Sequence, residues 1–258
     1  MSGQPSQTRK STRVCGATAT RIEVRGKDLV EQLMGKVSFT EMFLFQLLGA
    51  EATAMQVRIV DAVLVTIMEH GLVPTVVASR MTMLGAPESY QGAVAAGLLG
   101  VGDRFAGTAS AAAAVLDRIV AVPEAERAQT AVAVVEEHRR DRRPLPGFGH
   151  PTHKGGDPRV PRLLTIAEEA GARGQFIGAL RHLEAAIVQV VGRAVPANVS
   201  SAIAAALREA DLPGEVMRGV VMVARCAGLV GHLYEESTRP IADDMWKLIE
   251  HEFPYEAP

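Results

Sequence analysis

The residues best suited to chemistry lie in one run, Gly147-Phe148-Gly149-His150-Pro151-Thr152-His153-Lys154-Gly155-Gly156-Asp157-Pro158-Arg159. Its glycines let backbone approach a ligand closely, or turn in ways other residues resist. Two imidazoles and an ammonium stand between them. Asp157-Pro158 reads as an N-cap followed by proline at the first helical position. Arg159 then falls in the first turn of a new helix, facing whatever the loop holds. A helix N-terminus with Lys154 and Arg159 suits an anion, and a histidine beside an anion can move protons. A surface loop with idle histidines is the competing reading, and residue types alone leave both open.

Three other places carry groups of the same kind. Glu69-His70-Gly71 closes an apolar helical stretch, with glycine where a C-terminal stop is expected, so His70 is expected at a helix end buried by its neighbours. There it is either a structural cap or a functional imidazole. Arg225 sits within Val220-Val221-Met222-Val223-Ala224-Arg225-Cys226-Ala227-Gly228-Leu229-Val230. An arginine among so many apolar neighbours either pairs with an Asp or Glu or grips a substrate carboxylate with both arms of its fork. The cluster His138-Arg139-Arg140-Asp141-Arg142-Arg143 is a solvated helix end or a phosphate contact.

The elements that must position these groups read as helices throughout. Ser38-Phe39-Thr40-Glu41 is a capping box opening an apolar run, and residues 51–69 form a buried helix. Pro74 opens another. Residues 85–116 are rich in glycine and alanine, which suits close helix packing or a ligand lying on backbone, and Gly102-Asp103-Arg104-Phe105-Ala106-Gly107 interrupts them. Further helices are expected at 123–140, 158–170, 175–191, from an Asn198 cap through Leu207, from Pro213-Gly214 to about Glu235, and near 241–250. No stretch alternates with period two between turns, so the fold is expected to be all-α. Residues 1–20 lack periodicity and are expected to be a flexible tail.

The totals narrow the class. At 258 residues the chain can bury a large core. Apolar residues make up 48%, charged residues 22%, and the formal net charge of −2 gives no electrostatic case for nucleic acid. Cys15 and Cys226 have no metal-type spacing, so no metal is expected. No uninterrupted apolar run spans a bilayer and the polar start has no apolar leader core, so no membrane partner is expected and the cytoplasm is the expected location.

Taken together, these strings resemble the citrate synthase superfamily. The Gly-x-Gly-His loop followed by Asp-Pro-Arg is its signature, and the likeness runs from about residue 38 to the end. It is nearest the lyase branch, citryl-CoA lyase and the C-terminal module of ATP-citrate lyase. Glu69-His70-Gly71 is similar to that branch's Asp-His-Gly. The string at 102–107 resembles its Gly-x-x-Phe-x-Gly, with Phe105 where citrate synthases have a catalytic histidine, which favours cleavage over condensation. Leu84-Gly85-Ala86-Pro87-Glu88-Ser89 and Arg239-Pro240-Ile241 also look like the bacterial lyases.

The resemblance implies an all-helical, citrate synthase-like fold with large and small domains around a cleft. Residues 21–106 and 213–258 would form the large domain and 107–212 the small one, in a homodimer or higher homo-oligomer. It implies a coenzyme A thioester as substrate and carbon–carbon lyase chemistry, yielding acetyl-CoA or another acyl-CoA plus a 2-oxo acid. By it, His70 and His150 polarise the substrate's hydroxyl and carbonyl oxygens. Arg159 and Arg225 hold carboxylates, Arg239 adds a contact, and Phe105 and Asn198 line the substrate. Lys154 meets coenzyme A phosphates beside Gly147 and Gly149. One position departs: the family's Asn-Val-Asp reads Asn198-Val199-Ser200 here, so Ser200 stands where an aspartate exchanges the acetyl proton. A serine hydroxyl is too weakly acidic to replace that base. A non-catalytic CoA-ester-binding protein, and an enzyme of altered chemistry on a bulkier acyl-CoA, are therefore carried beside the lyase.

Overall fold

In the computed structural model, which describes residues 11–103, 107–149 and 155–257, regular structure is helical apart from a small sheet near the start. The chain divides into two units, residues 1–57 and 58–258.

The first unit opens with antiparallel strands β1 (Cys15–Ala17), β2 (Ile22–Val24) and β3 (Lys27–Asp28), in that order across the sheet. Arg25 and Gly26 both have positive φ, 51° and 83°, the mirror-image turn that suits a two-residue hairpin. Strand β1 thus falls inside residues 1–20, where a flexible tail was expected. Strands of two or three residues are too brief to show alternation, which is why sequence pattern missed them. Asp28 then caps one π-helical turn, Leu29–Leu33, accepting from the N–H groups of Val30 and Glu31. The expected capping box opens α1 (Phe39–Leu48): Glu41 N donates to Ser38 Oγ at 3.2 Å, and Ser38 N to Glu41 Oε2 at 2.6 Å. Val24, Leu33 and Phe45 form this unit's core, with Leu29 and Met42 packed against it.

The second unit is a helical assembly, its first helix α2 (Ala54–Met68) beginning just before the division. It continues with α3 (Pro74–Gly85), α4 (Tyr90–Leu99), α5 (Thr108–Val120), α6 (Arg127–Arg140), α7 (Arg159–Glu169) and α8 (Gln175–Val191). Then come α9 (Val199–Glu209), α10 (Met217–Thr238) and α11 (Ala242–Glu252). The all-α reading holds, and the helix boundaries fall within a few residues of those expected.

Helix α9 is the most enclosed element. Every residue from 201 to 207 is buried, and α5, α7 and α8 pack around it. Its run of alanines lets those three helices approach closely. Helices α3, α4 and α10 pack together, α11 lies on α3, and α5 also meets α10. The small residues of α4 serve this packing: a Cβ on Gly97 would lie 2.7 Å from Leu229 Cδ1 and 2.9 Å from the Thr75 carbonyl oxygen. Close helix packing, not a ligand, accounts for Gly97.

By length and composition, residues 214–238 could cross a membrane, although glycines and charged residues interrupt their apolar run. In this fold that helix is part of the core, with Val220, Val221, Ala224, Leu229 and Leu233 buried. The basic cluster at the end of α6 is matched internally. Arg143 pairs with Glu137 and Asp141 at 3.0 and 2.9 Å, Arg118 pairs with Glu137, and His138 is buried with Nδ1 2.9 Å from the Val134 carbonyl oxygen.

Candidate active site

The glycine loop is built onto the N-terminus of α9. Gly147 has φ +83°, and a Cβ there would lie 2.6 Å from Ser201 Cβ, so only glycine fits both the turn and the approach. The Gly147 carbonyl accepts from Asn198 N at 2.8 Å and from Ser201 Oγ at 2.7 Å. Gly149 N donates to the Pro196 carbonyl, and Asn198 Nδ2 donates to the Gly149 carbonyl at 2.7 Å. Asn198 Oδ1 meanwhile caps α9, accepting from Ser200 N at 2.9 Å. Ser200, half-buried, sits in the first turn of α9. Folding thus brings Gly147, Gly149, Asn198 and Ser200 together.

Asp157 joins the same cluster. Its carboxylate accepts from Arg159 N, from Val199 N at 3.2 Å, and from both Nε and Nη2 of Arg159 at 2.9 and 2.7 Å. Burial alone would raise its pKa. The Arg159 guanidinium and the two backbone N–H groups outweigh that and hold it at about 2. Asp157 accepts from the first N–H of α7, but Pro158 rather than Asp157 holds the N-cap position and the helix begins at Arg159, one residue later than expected; the expected anion site is also altered. The anion at the start of α7 is Asp157 itself, and Arg159 is bidentately engaged by it, so an incoming carboxylate has to share that arginine.

The second cluster joins the C-terminal end of α2 to α10. Arg225 is 8% exposed and, among the described residues, meets no Asp or Glu by hydrogen bond. Its Nη1 donates to the carbonyls of Ile67 and Met68 at 3.3 and 3.2 Å, which favours a cation at a helix C-terminus. Its Nη2 is buried without a hydrogen-bond partner among the described residues. Burial pulls the guanidinium below the ordinary arginine range, while the nearby Glu69 carboxylate opposes that shift.

His70 follows this helix end. It is exposed, contrary to the expected burial, because α2 stops at Met68 and the turn 69–71 projects outward. Glu69 Oε1 accepts from the N–H groups of His70 and Gly71, each at 2.7 Å. Arg239 lies at the C-terminal end of α10, exposed. His150, Lys154 and Phe105 lie outside the described residues.

The sequence alone did not single out four residues of this second cluster: His232, Arg80, Glu235 and Glu236. His232 Nδ1 is 2.8 Å from Arg80 Nη2, and its Nε2 is 2.8 Å from Glu69 Oε2, close but poorly aligned for a hydrogen bond. Arg80 is fully buried and paired with Glu236 at 2.7 Å and with Glu235. The available signal was spacing: residues 225 and 232 lie seven apart on an apolar helix, hence on one face.

A sequence model of the family "Citrate synthase, C-terminal domain" matches residues 9–245. The citrate synthase of Synechocystis sp. is 24% identical over 207 residues, covering 78% of this chain and 50% of that protein, so the chain spans about half its length. Citryl-CoA lyase from Hydrogenobacter thermophilus has the same fold at a TM-score of 0.84 and 27% identity, over 96% of each chain. The ATP citrate lyase of Methanosaeta concilii, solved with (3S)-citryl-CoA, matches at 0.74 and 19% identity over 99% of this chain and 43% of its own.

Proposed function

Because the chain belongs to the citrate synthase family, we propose that it is a carbon–carbon lyase acting on a carboxylated 3-hydroxyacyl-CoA of the citryl-CoA type. One observation carries the reading: a buried arginine with one arm holding the end of α2 and the other, Nη2, without a hydrogen-bond partner among the described residues, beside the turn that presents His70. A buried donor on a cation is costly to leave unmatched unless an anion meets it. A substrate carboxylate would supply that partner. The likeness to citryl-CoA lyase over nearly the whole of both chains supports the direction of reaction.

In the proposed mechanism, Arg225, with Arg159 shared by Asp157, holds the substrate's carboxylates, and Arg239 adds a contact. His150 or His70 takes the 3-hydroxyl proton. The C–O bond becomes a carbonyl, the adjacent C–C bond breaks, and its electron pair forms the thioester enolate. A 2-oxo acid leaves. The enolate then gains a proton at carbon to give acetyl-CoA or another acyl-CoA. With Ser200 in place of an aspartate, water or another group supplies that proton, and a lost general acid or base lowers such a step by about 10²–10⁴-fold. Gly147, Gly149 and Lys154 are proposed to line the coenzyme A phosphates, Phe105 and Asn198 the acyl group. The two-domain division at residues 107 and 213, a homo-oligomer and a cytoplasmic setting belong to the same proposal.

The test is to incubate the protein with citryl-CoA, citramalyl-CoA and related esters and to follow acetyl-CoA. Cleavage that His150→Ala and His70→Ala abolish is expected. Wild-type protein that cleaves none of them overturns the reading. Ser200 favours a second reading, a protein that binds CoA esters without turning them over; affinity without turnover supports it. A product of unexpected mass from a bulkier ester would support altered chemistry with serine making room.

A further inference from the structure

The face of α10 that carries Arg225 also carries Gly228 and His232. Each touches the end of α2 at a successive point. Arg225 holds the carbonyls of Ile67 and Met68. Gly228 lies so near that an added Cβ would run into the Met68 carbonyl, and would sit 3.3 Å from Glu69 Oε2. His232 Nε2 lies 2.8 Å from the same Glu69 oxygen. Glu69 in turn holds the N–H groups of His70 and Gly71. One helix face therefore governs the backbone from 67 to 71, and the side chain this turn projects is His70.

The His232 ring is itself held in one state. A guanidinium only donates, so the 2.8 Å contact from Arg80 Nη2 makes Nδ1 an acceptor. The ring proton is then on Nε2, the nitrogen facing Glu69. Arg80 is anchored by Glu236 and Glu235, and Glu236 Oε1 accepts from the N–H groups of Ile241 and Ala242 where α11 begins. Burial would raise the Glu69 carboxyl's pKa; the His232 contact and the two backbone donors hold it below the usual range instead, so it stays a carboxylate. The relay runs from the start of α11 through Glu236, Arg80 and His232 to Glu69, and ends at the backbone of residues 70 and 71.

We propose that His232 is the positioning residue for His70: Arg80 imposes its Nε2–H tautomer, and that polar N–H, 2.8 Å from Glu69 Oε2, holds by electrostatic attraction the carboxylate that sets the 69–71 turn. A packing histidine would need only the right volume. This one makes two polar contacts of opposite sense, which a glutamine amide can reproduce and a leucine cannot. The proposal rests on the lyase reading only in giving His70 a substrate to act on.

The experiment uses the full chain, with ¹⁵N-labelled histidine, in wild type, His232→Gln and His232→Leu. Long-range ¹H–¹⁵N spectra of the free protein are expected to show His232 as the Nε2–H tautomer. In folded His232→Leu the His70 ring resonances should shift, and in His232→Gln they should return. With an ester that the wild type cleaves, His232→Leu should lower kcat by about 10²-fold while leaving KM within a few-fold, since a misplacement of about 1 Å costs that much. His232→Gln should recover most of that loss. An Nδ1–H tautomer, or unmoved His70 resonances in folded His232→Leu, overturns the proposal. Should His232→Leu not fold, Glu69→Gln serves instead: its side chain is half-exposed, and His70 resonances that stay put in it overturn the proposal equally. If the wild type cleaves no ester, the lyase reading falls and the spectra of the free protein alone decide the positioning role.

Discussion

The two clusters solve the same problem in opposite ways. Around the start of α9, polar groups meet one another: Asp157 takes four donors, Asn198 uses both ends of its amide, and Ser201 and the Gly147 carbonyl are matched. Along α3 and α10 the matching is incomplete. The four buried side-chain atoms without a hydrogen-bond partner among the described residues, Thr75 Oγ1, Arg80 Nε, Arg225 Nη2 and His232 Nε2, all lie there. A closed network fixes geometry, whereas an open one retains capacity for a ligand. Gly147, Gly149, Asp157 and Asn198 thus form a closed frame, and the α2–α10 junction is where a buried donor, Arg225 Nη2, has no partner among the described residues.

That contrast can be broken or sharpened by experiment. The largest effect is expected from Ser200→Asp, which restores a carboxylate to the closed cluster. If proton transfer limits the reaction, turnover of citryl-CoA should rise by about 10²-fold or more, measured as acetyl-CoA release. An unchanged rate would show that the frame has no unmet chemical role at Ser200. Gly147→Ala attacks the frame directly, combining a positive φ with a Cβ clash against Ser201. It should cost about 2–4 kcal/mol in denaturant unfolding.

Arg225→Lys tests the open cluster. It keeps a charge but loses the fork, so affinity for a carboxylated CoA ester should fall by about 10–100-fold with far less effect on the ester lacking that carboxylate, read by titration calorimetry. Equal losses for both esters would mean that the arginine serves only the end of α2. The smallest effect is the acid response of Asp157. Its folded pKa of about 2 lies below the ordinary aspartate value of 3.8, so its contribution is present above about pH 4 and lost as pH falls toward 2. Stability should drop by up to about 2 kcal/mol across that window in wild type, and Asp157→Asn should remove that part of the pH dependence.

The frame was largely legible beforehand because its signals are local. Asp157-Pro158 and Asn198 are caps, Ser38 with Glu41 is a capping box, and each depends on residues within a turn of one another. The open cluster was legible only in part. Arg225 was conspicuous among apolar neighbours, yet its partners are carbonyls of α2 more than 150 residues away in sequence. His232, Arg80 and Glu236 gave no local sign, and His70 proved exposed where burial was expected. The small sheet escaped notice because its strands are shorter than any usable period.

The order of residues alone determined the all-helical class, the position of most helices, the caps and the family likeness, because hydrophobic period and capping chemistry act over a few residues. Tertiary structure decided which charges meet. It left Arg225 with an arm unmatched among the described residues, and it brought Glu236, Arg80, His232 and Glu69 into one chain of contacts from α11 to the turn of His70. Pairing energies depend on distance and burial, and neither is set until distant helices pack.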